Sequence, residues 1–171
     1  MKNNLTIENN MATTTKTGYC NGSDMLVYVG GKAVGHCTSH TTTMNSETKD
    51  RAVKPVASKG ISSGLWKGKG VTGLSISISA EGLVFYGETE TGYKALLAAW
   101  KAGKSVEVKC MERANSDKPY LKGQFIISSL ERTDPAQDDS TYSINFENDG
   151  EPDIIDETAI TEIPETTEAE S

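Results

Sequence analysis

From position 74 to 80 the chain alternates without a slip, Leu74, Ile76, Ile78 and Ala80 pointing one way and Ser75, Ser77 and Ser79 the other. A period of two held over this length predicts a strand with one face in a core and one small, polar face. Shorter stretches repeat the pattern. Val106, Val108 and Cys110 alternate with Glu107 and Lys109, and Tyr142, Ile144 and Phe146 share one face of residues 140–148. Between them, residues 120–133 read as a longer strand bounded by turns at 114–119 and 134–139. Near the start, Met25–Val29 is rich in β-formers, Gly30-Gly31 supplies a positive-φ turn, and Ala33–Met44 returns as a strand.

One stretch changes period. Tyr93, Leu96, Leu97 and Trp100 recur at helical spacing, and Gly103 is placed to end the helix. Its apolar stripe is expected to cover one face of the sheet. The sum is a mainly β fold, a β-sandwich or half-barrel of about seven strands with one flanking α-helix.

Residues 45–70 show no clean period and contain Pro55 and four glycines, so they read as a long loop after the first hairpin. Loops of that length in a compact domain are uncommon and usually functional. From Lys49 to Lys69 this one carries Lys49, Arg51, Lys54, Lys59, Lys67 and Lys69 against a single acid, Asp50, with Trp66 embedded. Such a loop could grip a nucleic-acid backbone, dock on an acidic surface of a neighbouring subunit, or stay solvated; docking is the favoured reading. Around the body at 21–150, residues 1–20 read as a flexible N-terminal arm and residues 151–171 as an acidic, disordered tail.

The net charge of −7 is unevenly placed: all seventeen Lys and Arg precede Glu147, and ten of the 24 acids lie from Glu147 onward. The body is therefore slightly basic and the tail strongly acidic. No run of apolar residues is long enough for a membrane helix, and residues 1–22 hold no apolar stretch of a secretory leader. Met11 offers a second start. Cys20, Cys37 and Cys110 form no C-x-x-C pair and read as reduced thiols of a protein made in a cytoplasm.

Candidate chemistry changes this picture little. Both histidines lie in Gly-His-Cys-Thr-Ser-His at 35–40. On a strand, His36 and His40 share a face but stand about 13 Å apart, with Cys37 on the other face, which is too far for one metal ion. The Gly-rich pieces at 30–35 and 64–73 do not match a phosphate-loop pattern. Two histidines on one strand leave few ways to assemble a nucleophile and its base. The expectation is a protein that is not an enzyme and needs no metal or cofactor.

Three stretches, at 21–35, 73–109 and 123–150, are similar in kind and order to the major tail tube proteins of long-tailed phages, of the type found in a lactococcal siphophage. The most specific parts are the Gly-Tyr-Lys-Ala-Leu helix ending in Ala-Gly-Lys before a strand, and the entry to the last strand at Asp138–Ser143. The acidic tail lies outside the likeness. The resemblance implies homohexameric rings stacked into a hollow tube in the virion tail, assembled in the bacterial host cytoplasm. Through that tube phage DNA passes without tight binding during genome ejection. It implies tape-measure, tail terminator and baseplate or distal tail proteins as partners, and no membrane. It also implies that the loop with Lys49–Lys69 and Trp66 reaches the next ring. Ser75, Ser77 and Ser79, or Thr38 and Thr42, are candidate lumen-facing positions because they are small and neutral. A tube of a contractile injection or type VI-like secretion system, and a nucleic-acid-binding β-domain, are the alternatives.

Overall fold

The computed structural model describes residues 16–51, 67–87 and 89–158. Eight strands form one antiparallel sheet: β1 (Met25–Val29), β2 (Lys32–Ala33), β3 (Cys37–Arg51), β4 (Gly68–Leu83), β5 (Val106–Glu112), β6 (Leu121–Thr133), β7 (Thr141–Asn148) and β8 (Ile154–Ile155). Their order in space is β2-β1-β5-β6-β7-β4-β3, with β8 pairing β6 where β7 has ended. Helix α1 (Tyr93–Ala102) connects β4 to β5. The mainly β architecture with one flanking helix is the one the periodicities predict.

The sheet is rolled. β3 and β5 are four places apart in the order, about 19 Å if the sheet were flat. Yet the Thr42 side chain on β3 reaches the Cys110 thiol on β5. Rolling gives the half-barrel an inside, filled by Ile78, Val108, Cys110, Leu121, Phe125, Ile144 and Phe146, with Leu96 of α1 closing it. The Tyr142 hydroxyl donates to the buried Gly35 carbonyl at 3.1 Å, tying β7 to the chain entering β3. Gly82 makes room there, since a Cβ would stand 2.7 Å from both that hydroxyl and the His36 carbonyl.

Gly30 and Gly31 make the β1–β2 turn at φ +59° and +85°, as the sequence suggests. Gly103 ends α1 in the left-handed region, its amide donating to the Trp100 carbonyl. Four readings are corrected. The strand expected over 33–44 breaks after Ala33: His36 takes φ +53° and sends the chain across to pair β4, at the opposite edge from β2. The loop expected over 45–70 is strand at both ends, since β3 runs on to Arg51 and β4 starts at Gly68; residues 52–66, with Lys54, Lys59 and Trp66, lie outside the described residues. The tail expected to be disordered from 151 begins with β8. Finally, the buried face of α1 is Tyr93, Leu96 and Ala99, rotated from the expected stripe, which leaves Leu97 and Trp100 exposed.

A candidate self-assembly surface

The β3–β4 hairpin outruns the sheet that supports it. β7 pairs β4 only from Leu83 back to Ser77, opposite Glu147. Beyond that rung, Met44–Arg51 and Gly68–Ile76 pair only with each other and leave the body as a two-stranded ribbon. Cross-strand partners share a face, so Met44 with Ile76, Ser46 with Leu74 and Thr48 with Val71 continue the core-side face outward. A bulge at Thr72 keeps Val71 on that face despite the odd spacing from Leu74. Here the residues are bare: Met44 is 62%, Val71 59% and Leu74 75% exposed. An apolar strip of this kind on a two-stranded ribbon marks an interaction site. Leu74, expected in the core with Ile76 and Ile78, is instead part of it.

Among the described residues β3 has a partner on one side only. The direction of its free amides follows from one contact. The Ile76 amide turns to Asn148 Oδ1 at 2.8 Å, on the β7 side and away from β3. In an antiparallel ladder its partner Met44 must likewise turn its N–H and C=O away from β4. Stepping by two, Thr42 and Ser46 do the same, so β3 offers a row of unpaired donors and acceptors. Long exposed edges of this type are templates for pairing with another chain.

The outer face of the sheet is polar. Ser75, Ser77 and Ser79 lie there with cross-strand partners Asn45, Thr43 and Thr41, and β7 adds Glu147, Asn145 and Ser143. Asn145 Nδ2 donates to Ser129 Oγ on β6 at 2.8 Å, and Ser143 faces Glu131. Over the body, from residues 39–45 of β3 to the upper half of β6, this face is neutral or acidic, and Lys49 and Arg51 join it only on the ribbon beyond. Thr42 is on the opposite face, toward Cys110, so it does not line a surface with the serines. Thr38 sits in a bulge and donates to the Glu81 carbonyl at 3.2 Å.

That bulge also corrects the reading of 35–40. It puts Cys37, opposite Gly82, and His40, opposite Ala80, on the same core-side face, while the His36 ring packs at a tilt against Phe85. Burial lowers the His40 pKa and raises that of Cys37. Among the described residues no set of His, Cys, Asp and Glu is placed to hold a metal ion. The basic residues Lys49, Arg51, Lys67 and Lys69 gather at the far end of the ribbon, where Lys69 pairs with Asp50 at 3.7 Å and the Arg51 guanidinium lies over Gly70. The free edge and the bare apolar strip were missed in the sequence. Met44, Val71 and Leu74 were the available signal, hidden by the glycines around them and by the bulge that breaks the alternation between Val71 and Leu74.

Residues 19–153 match the family described as phage tail tube protein. No curated protein matches the chain. Among solved structures, the fold is similar to a chain in the tail of an empty gene transfer agent particle with C6 symmetry, at 20% identity and TM-score 0.61, covering 80% of this chain and 98% of that one. A chain of a native gene transfer agent virion gives TM-score 0.60 at 20% identity, covering 78% and 97%. The SPP1 tail tube gives 0.46 at 20% identity, covering 82% and 85%.

Proposed function

We propose, from the premise that the chain belongs to the phage tail tube protein family, that its copies join sheet edges into six-membered rings which stack into a hollow tube. The chain is a structural subunit of the virion tail. The observation that carries the finer reading is β3: fifteen residues long, open on one side, and continuing past the body with its apolar face uncovered.

Each part of that strand has a task in the assembly. Along the body, the open amides of β3 pair with a neighbour in the ring, closing the rolled sheets into a continuous barrel. Beyond the body, the ribbon carries Met44, Leu74 and Val71 to a copy in the next ring, with its basic end steered by acidic groups there. Stacking of identical rings is head-to-tail and does not close, so it makes a filament. The outer face with Ser75, Ser77 and Ser79 lines the lumen. Along the body, where β7 supports β4 and β3, it carries no Lys or Arg and offers no phosphate contacts, so DNA slides through without being held. Lys49 and Arg51 lie on this face only beyond the body, on the ribbon. Tape-measure, terminator and distal tail proteins meet the tube's core and ends, and assembly takes place in the host cytoplasm.

Negative-stain microscopy of the purified full chain tests this. Hollow tubes or six-fold rings are expected. A strict monomer at high concentration overturns the reading.

A further inference from the structure

The acidic segment that follows the family match is anchored next to the ribbon. Pro152 packs at Gly123, β8 pairs Ile154 with Lys122 and Ile155 with Leu121, and the Asp156 amide donates to the Tyr120 carbonyl at 2.8 Å. Ile155 and Glu157 thereby reach the rim of an open cavity of about 660 Å³, whose facing wall includes Met25, Tyr120 and Met44. Met44 begins the ribbon's apolar strip. The strip runs on through Leu74 to Val71 and ends at Lys69, with Lys49 and Arg51 nearby on the outer face.

Thirteen residues of the sequence follow Thr158; they contain Ile160 and Ile163, four glutamates and no Lys or Arg. Extended, they span about 43 Å, against about 17 Å from Met44 to Lys49. We propose that in the unassembled subunit this acidic segment, residues 159–171, lies along the core-side face of its own ribbon and covers the strip until a neighbouring copy displaces it. Its isoleucines meet the strip and its carboxylates meet the basic far end. A tether anchored at β8 gives the segment a millimolar-order effective concentration at its own ribbon, which favours its own chain over another's in dilute solution. The attraction is between exposed charges and is weakened by salt. The displacement half of the proposal rests on the tube reading; the covering half is measured on the free subunit.

The test couples lysine ammonium groups to carboxylates in the full chain with a zero-length carbodiimide, using a dilute mixture of ¹⁴N- and ¹⁵N-labelled protein. Mass spectrometry should find Lys49, Lys67 or Lys69 joined to Glu162, Glu165, Glu168 or Glu170 within one isotope. The yield should fall severalfold in high salt and in the double variant Met44→Ser, Leu74→Ser. Absence of these links, links between isotopes in the mixing proportion, or a yield that the double variant leaves unchanged would each overturn the proposal. Failure of the same protein to form tubes would overturn the tube reading and leave the cross-link result standing.

Discussion

The Ile76 amide donates to Asn148 Oδ1 at 2.8 Å, and Asn148 Nδ2 donates to the Gly150 carbonyl at 2.6 Å. The side chain of Asn148, the last residue of β7, thus takes over from the strand's backbone one rung past the last β4–β7 pair, at the point where the ribbon leaves the body. Asn148→Ala leaves the half-buried Ile76 amide without its protein acceptor and should cost about 1 kcal/mol. Hydrogen exchange should rise at Ile76 and along the ribbon, with the Phe125 and Ile144 amides changed only by the global loss. Uniform exchange across the sheet would show that the residue does not set the ribbon's root.

Proline on β3 separates the two edges of that strand. The Ser46 amide points away from β4, so Ser46→Pro removes no bond of the β3–β4 ladder, whereas Asn45→Pro removes one. The expected outcome is that Ser46→Pro stays close to wild type in urea unfolding but forms no tubes. Normal tubes from this variant would mean that the edge at Ser46 is not an assembly seam.

The lumen assignment makes a charge prediction. Ser77→Lys with Ser79→Lys places cations on the outer face, repeated in every copy of a ring. Assembled tubes of the variant should retain duplex DNA on sedimentation at low salt and release it at high salt, while wild-type tubes retain none. Equal behaviour of the two would place these serines outside the channel.

The three thiols should be distinguishable. Cys20 is exposed, Cys37 half-buried and Cys110 fully buried. Burial pushes the Cys110 pKa up to about 11, so its thiol stays neutral and shielded at mildly alkaline pH. Native-state alkylation read by mass spectrometry should modify Cys20 first and Cys110 only on unfolding. The same shift has a stability consequence. Between an ordinary thiol pKa and about 11 the unfolded chain loses this proton and the folded one keeps it, so stability falls as pH rises through that window. Rapid labelling of Cys110 in the folded subunit would contradict its place in the core.

The body was readable because each of its strands is half-buried: Ile76, Ile78 and Ala80, or Tyr142, Ile144 and Phe146, alternate against polar neighbours and report their own faces. The ribbon was not, for the opposite reason. Gly68, Gly70 and Gly73 and the charges around Lys49 erase a two-residue period, and the strand there is held by cross-strand partners distant in sequence. The break at His36 was equally hidden, since a positive φ at a histidine leaves no compositional mark. On α1 the stripe was read one residue out of phase, because Ala99 turned inward where Trp100 had the greater hydrophobicity. Helix position is set by what the sheet has room for, and Gly-rich ribbons are set by pairing, neither of which a single segment encodes.

The strand order has a temporal side. β3 with β4, and β5 through β7, are neighbours in sequence and are expected to pair before β1 with β5 and β4 with β7, which must find each other across most of the body. Sheets closed by such distant contacts fold slowly, on the order of milliseconds to seconds. On that ordering the local β3–β4 hairpin would spend that interval as a sticky object before its own domain is complete. A protein whose purpose is to polymerise has to survive that interval without doing so, which makes the rate of closing β4 onto β7 a determinant of how many finished subunits a crowded cell can accumulate.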